Sequence, residues 1–162
     1  LQLHPEKTKI VYCGSHEPRN EQVIRRFDFL GFSFKPRSAV ARTGGRTFTA
    51  FTPAVSDRAV AAIQREVRSW NLGRRTSQSL QQLLREFTPK LRGWVRYYAA
   101  FRPSTLYRLL RPIDEHLVLW ARRKYKRLAK HRHRAWERLK ELQSREPRLF
   151  PHWWAAVMST GR

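Results

Sequence analysis

Thr88-Pro89-Lys90-Leu91-Arg92-Gly93-Trp94-Val95-Arg96-Tyr97-Tyr98 is the stretch around which the rest of the chain is arranged. Thr88 suits an N-cap and Pro89 the first helical position, where its missing N–H is no loss. Leu91, Trp94, Val95, Tyr98 and Phe101 follow at helical spacing and predict one buried face. Lys90, Arg92, Arg96 and the amphipathic Tyr97 fall on the other side. Gly93 stands mid-helix, where it costs roughly 1 kcal/mol against alanine. Two readings of it are open: close approach of a phosphate backbone between two arginines, or room for a neighbouring helix. A helix that is basic outside and aromatic inside points towards RNA.

Downstream the period stays helical. A helix from Ser104 is expected to be interrupted at Pro112, with Asp114 and Glu115 marking a fresh start. Ile113, Leu117, Trp120, Ala121 and Leu128 would be its stripe. Trp136, Leu139 and Leu142 carry a last helix to Pro147, and the aromatic tail Leu149-Phe150-Pro151-His152-Trp153-Trp154 is expected to pack back on the bundle. Upstream, Ser79 with Gln82 forms a capping box before Leu80, Leu83, Leu84 and Phe87. Arg74, Arg75 and Thr76 read as a basic linker. Ser56 and Asp57 open a helix whose stripe is Val60, Ile63, Val67 and Trp70.

Before Ser56 the pattern is extended. A turn at Pro5-Glu6 leads into a strand over Lys9–Cys13, and residues 14–21 read as a loop. Phe27–Phe34 alternates like a strand with Gly31 as a bulge or close-approach point. Thr43-Gly44-Gly45-Arg46 marks a hairpin turn into a strand over Thr47–Phe51. The fold class is therefore α+β: a small antiparallel β element over residues 1–52, the edge of a larger sheet, then a mostly helical bundle over residues 53–162.

The 162 residues suffice for one ordinary domain or two small ones, and 41% hydrophobic residues exclude a disordered tail. A formal charge of +22, from 34 Lys+Arg against 12 Asp+Glu, strains a compact fold unless a polyanion neutralises it. No apolar run approaches the ~20 residues of a spanning helix, and 12% aromatics suits stacking on bases, so nucleic acid is favoured over a membrane surface. The densest basic run is Arg122-Arg123-Lys124-Tyr125-Lys126-Arg127-Leu128-Ala129-Lys130-His131-Arg132-His133-Arg134, with no acid between Glu115 and Glu137. Mixed runs are usually solvated faces; this unmixed run points to backbone contact with nucleic acid.

Chemistry is sparse. The single cysteine, Cys13, excludes an intrachain disulfide or a cysteine-rich zinc site and suits a reducing cytoplasmic or organellar interior. His131 and His133 are two apart on a helix and cannot share a metal. Asp114-Glu115 is explained by a helix start. No nucleophile–base spacing, phosphate-binding loop or carboxylate cluster for two magnesium ions stands out. The chain by itself reads as a binder, and an opening without methionine reads as a fragment of a longer protein.

Three stretches meet in one resemblance. Leu3-His4-Pro5-Glu6-Lys7-Thr8-Lys9-Ile10 resembles the sixth block of group II intron reverse transcriptases, an "L-x-x-x-P-E-K-T-K" run. Phe29-Leu30-Gly31-Phe32-Ser33-Phe34 resembles the "F-L-G-F" of their seventh block. Pro89–Tyr98 is similar to the "P-K-x-R-G-W-x-x-Y-Y" signature of their maturase-specific, or X/thumb, domain, and Phe150-Pro151-His152-Trp153 to that domain's closing segment.

The resemblance implies that residues 1–52 end the reverse transcriptase palm and that residues 53–162 are the X/thumb domain. Phe29, Leu30, Gly31 and Phe32 would border the primer grip. Lys7 could assist the departing pyrophosphate, although a simple turn lysine explains it as well. Lys90, Arg92, Gly93, Arg96, Tyr97, Arg122, Arg123, Lys124, Lys126, Arg127, Lys130, Arg132 and Arg134 would contact structured intron RNA and RNA/DNA template–primer. Trp94 and Tyr98 would serve the core. The aspartate pair of the family's "Y-A-D-D" block is missing from this chain, and with it the carboxylates for Mg2+. No cofactor is expected on this chain, and no polymerase activity alone. A basic helical nucleic-acid-binding module, or the partner subunit of a split reverse transcriptase, are the alternatives.

Overall fold

The computed structural model describes residues 8, 10–14, 23–41, 44–101 and 103–154. Lys7 and the Pro5-Glu6 turn lie outside them. The chain divides between Ala59 and Val60 into two compact units.

The first unit is an antiparallel sheet of order β1-β2-β3, with β1 Phe27–Phe29, β2 Phe32–Val40 and β3 Thr47–Val55. The Phe27–Phe34 segment is not one bulged strand. Leu30 (φ 47°) and Gly31 (φ 77°) both take the left-handed conformation and make a two-residue turn, so that Phe29 pairs with Phe32 and Phe27 with Phe34. Two consecutive positive φ values match the twist of the flanking strands, which a bulge would not. The Phe27 and Phe34 rings stack at 4.8 Å, nearly parallel. Gly44 (φ 82°) and Gly45 (φ 62°) turn β2 into β3 as expected, in a register running from Phe32↔Val55 to Val40↔Thr47. The strand expected at Lys9–Cys13 does not form among its described residues. Tyr12 N donates to Ile24 O at 2.9 Å, a single bond and not a ladder.

The second unit is helical. The helix α1 (Asp57–Ser69) buries Ile63 and Val67, with Trp70 just beyond its end. Ser56 Oγ accepts from Ala59 N at 3.2 Å and caps it. A 3₁₀ turn, Leu72–Arg74, follows Asn71 in the left-handed conformation. Then α2 runs unbroken from Leu80 to Tyr98. Ser79 Oγ accepts from Gln82 N at 3.2 Å and Gln82 Oε1 from Ser79 N at 2.7 Å, the reciprocal capping box read from the sequence.

Thr88 is therefore no cap, and Pro89 sits inside α2. An interior proline removes one backbone hydrogen bond and costs about 3 kcal/mol. The helix survives because Leu83, Phe87 and Leu91 form one buried stripe running through the proline. Breaking the helix there would misalign all three. The same correction applies to Pro112, which lies inside α3 (Pro103–Lys124) beneath a stripe of Leu106, Leu109, Leu110, Ile113 and Leu117, all buried. Phe101 lies past the end of α2 and is 55% exposed, not on the buried face.

The 122–134 run is not one helix either. After α3 a 3₁₀ turn (Lys126–Leu128) intervenes, and α4 begins at Arg132 and ends at Arg145. The aromatic tail does pack back: Phe150, His152 and Trp153 are buried. Asp114 is buried mid-helix instead of starting one. It accepts from Trp153 Nε1 at 2.7 Å and lies 3.0 Å from His152 Nε2. No described helix is long and apolar enough to cross a membrane.

Candidate nucleic-acid interface

The expected cations fall into three groups by what they touch. The first is engaged inside the chain. Arg122 donates through Nε and Nη2 to Ala129 O at 3.2 and 3.0 Å. Arg123 reaches Gly73 O at 3.1 Å, and Lys124 Nζ reaches Thr76 O and Gln78 O at 2.7 and 2.9 Å. Carbonyls from the loop between α1 and α2 thus take up the charge at the end of α3. Trp120 Nε1 adds a bond to Arg75 O at 3.1 Å. Gly73 permits the approach: a Cβ there would lie 2.9 Å from Leu119 Cδ2. Lys90 belongs to this group too, paired with Glu66. The Lys90 ammonium, and then the Trp70 indole N–H at 3.1 Å, hold the Glu66 carboxyl below its ordinary range.

The second group is the outer face of α2. Arg92 and Arg96 are exposed, as is Arg85, seven residues before Arg92 and hence two turns along the same stripe. None of the three makes a hydrogen bond or ion pair among the described residues. Pro89 and Gly93, one turn apart, run beside them and carry no long side chain. Nothing among the described residues lies within 4 Å of the position a Gly93 Cβ would take, so Gly93 does not make room for any described helix. Next to it Tyr97 is 48% exposed and meets Tyr98 edge-on at 4.8 Å. Burial pushes the Tyr98 phenol upward and the neighbouring Tyr97 adds to it. Trp94 stacks at 5.7 Å on buried Trp70 and is itself half-buried, at the edge of the core.

The third group is the corner between α3 and α4. Lys126, Arg127, Lys130, Arg132 and Arg134 are all exposed and their side chains have no partner among the described residues. His131 stands at the N-cap of α4 without a side-chain hydrogen bond, and no acid lies in its first turn. The positive end of the helix dipole therefore adds to the cations and is not offset. No group of His, Cys, Asp and Glu among the described residues could hold a metal ion.

Both exposed cation groups lie within residues 60–138, and that segment matches the family model of the group II intron, maturase-specific domain. Residues 60–138 carry a group II intron maturase-specific domain. No curated protein matches the chain, and no solved structure does. The matched segment begins at Val60, the residue that opens the helical unit. This match ties the helical unit to group II intron splicing.

Within the maturase-specific domain, Arg85 is a residue the sequence reading missed. Its signal was present in the i, i+7, i+11 spacing of Arg85, Arg92 and Arg96, but it was hidden by starting the helix at Pro89. Arg75 was read as linker and is a hub. Its guanidinium donates to Trp70 O at 2.7 Å and to both Glu86 carboxylate oxygens at 2.6 and 2.7 Å, and lies 5.1 Å over the Phe87 ring. Phe29 and Leu30 of the expected primer grip are exposed at the turn of the first hairpin, whereas Phe32 is buried.

Proposed function

We propose that the helical unit is the RNA-binding surface of a group II intron reverse transcriptase/maturase, holding structured intron RNA and template–primer against the outer face of α2. The observation that carries this reading is the pairing of three exposed arginines, Arg85, Arg92 and Arg96, that have no side-chain partner among the described residues, with an open glycine on the same face. Unpaired guanidinium groups are suited to bidentate contact with phosphate. A backbone without a Cβ lets a sugar–phosphate chain approach more closely than any other residue would. Lys126, Arg127, Lys130, Arg132 and Arg134 extend the field on the α4 side of the domain. Arg122, Arg123 and Lys124 build the platform rather than touch RNA.

The test is affinity for a folded group II intron RNA against an unrelated RNA of equal length, titrated with salt. Phosphate contacts make log K fall with log salt in proportion to their number. A preference for the intron RNA that persists at high salt supports the reading. Equal affinities that collapse together would leave a non-specific basic surface.

The β unit supports the template–primer half of the proposal. Phe29 is 60% and Leu30 68% exposed at the β1–β2 turn, where an apolar tip in water has no folding advantage. Leu30→Asn suits the left-handed turn better than leucine and removes the tip. It should leave the hairpin intact and weaken binding to an RNA/DNA hybrid with a recessed 3′ end; unchanged hybrid affinity would remove this tip from the grip.

A further inference from the structure

Between the 3₁₀ turn that follows α3 and the outer side of α4 lies a half-open cleft of about 620 Å³. This is within the range of about 300–1,000 Å³ typical of small-ligand clefts. Tyr125, Leu128, Arg127 and Arg134 line it together with Glu137 and Glu141. Its chemistry is unlike the rest of the basic surface. Tyr125 is 46% exposed although its ring is held edge-on by Trp120 at 5.9 Å. Trp120 is itself fixed by its bond to Arg75 O. An aromatic ring is thus braced at the cleft by a perpendicular ring contact and left nearly half exposed. Arg127 and Arg134 have no partner among the described residues. The two carboxylates are partly occupied, Glu137 lying 3.1 Å from His133 Nε2 and Glu141 accepting from Arg138 at 2.9 Å. Each keeps free lone pairs, since a carboxylate offers about four acceptor positions.

The geometry points to a seat for one unpaired nucleotide of RNA, with its base stacked on Tyr125 and its phosphate on Arg127 and Arg134. This rests on the RNA-binding reading and refines it. Carboxylates repel phosphate, so Glu137 and Glu141 fix the orientation: the base edge faces them. They accept from an exocyclic amine and disfavour a carbonyl, as the cytosine N4 amine and uracil O4 differ. Duplex RNA buries its base faces in its own stack, and single-stranded loops supply the splayed bases that aromatic side chains take up. The cleft therefore reads loops or bulges, not helices.

The experiment uses the full chain and three RNAs sharing one stem: closed by a loop of cytidines, closed by a loop of uridines, or left as a blunt duplex. Wild type should bind the cytidine loop more tightly than the uridine loop and either more tightly than the duplex. Tyr125→Leu keeps an apolar side chain over Trp120 but removes the stacking face. It should lose about five- to hundredfold in affinity for the cytidine loop and nothing for the duplex, while Tyr125→Phe stays near wild type. Replacing both Glu137 and Glu141 with glutamine should erase the preference for cytidine over uridine. Equal losses of Tyr125→Leu on loop and duplex, or no loss on either, would overturn the nucleotide seat and leave the basic surface standing. Wild type binding none of the three RNAs would overturn the RNA reading itself.

Discussion

Asp114 Oδ1 accepts the indole N–H of Trp153 at 2.7 Å and lies 3.0 Å from His152 Nε2, joining the middle of α3 to the end of the described chain across 38 and 39 residues. All three residues are buried. His152 Nδ1 has no hydrogen-bond partner among the described residues. The carboxylate thus holds two donors out of water, and removing it would leave both stranded. Asp114→Ala should destabilise the domain by about 3 kcal/mol, the scale of an orphaned buried polar cluster. Trp153→Phe, which loses only the N–H, should cost about 1–2 kcal/mol. Urea midpoints at unchanged m-values check both; a neutral Asp114→Ala would contradict the clamp.

Gly73 is needed for packing. A valine there would run into Leu119 beside the Arg123–Gly73 O bond. Gly73→Val should cost about 1–3 kcal/mol through overpacking, read in the same urea melts.

Glu66 offers a test by pH. Its folded pKa is depressed, chiefly by the Lys90 ammonium and next by the Trp70 N–H. A depressed carboxylate adds stability above its ordinary value of 4.5, and this is lost as pH falls through the lower folded value. The melting temperature of wild type should therefore exceed that of Glu66→Gln at neutral pH. The gap should close once pH falls well below 4.5. Because the pair is at the surface, the gap should be small and should shrink with salt.

The two kinds of cation should separate cleanly. Replacing Arg92 and Arg96 with alanine should flatten the salt dependence of RNA binding by about 0.7–0.9 per lost phosphate contact and leave stability near wild type. Lys124→Met should do the reverse, since its ammonium satisfies Thr76 O and Gln78 O. Its cost should be about 1–3 kcal/mol with the salt slope unchanged.

That division also marks what the sequence made legible. The α+β class, the capping box at Ser79 and Gln82 and the glycine hairpin at Gly44-Gly45 rest on neighbouring residues, and local rules found them; the aromatic tail was legible as a segment that must bury itself, but not its anchor at Asp114, 38 and 39 residues away. Pro89 and Pro112 misled the helix boundaries because a proline's local preference was outweighed by buried stripes on either side of it. Gly31 read as a bulge or close-approach point within one strand because leucine rarely takes a positive φ, and Leu30 takes one here. The bonds of Arg123 and Lys124 to carbonyls 46–50 residues away could not be read from their own neighbourhood in the sequence. Asp114 looked like a helix start for the same reason. The candidate site was legible as a composition, basic and aromatic, but which cations are free was decided by long-range contacts.

The most direct measurement is made on Gly93→Ala, taking melting temperature and affinity for a structured group II intron RNA on the same preparation. An added methyl meets nothing among the described residues and favours the helix, so stability should rise by about 1 kcal/mol. If RNA lies against the backbone between Arg92 and Arg96, affinity should nevertheless fall, by about tenfold for a loss near 1.4 kcal/mol. A stabler protein that binds RNA as well as before would contradict the placement of RNA on this face of α2.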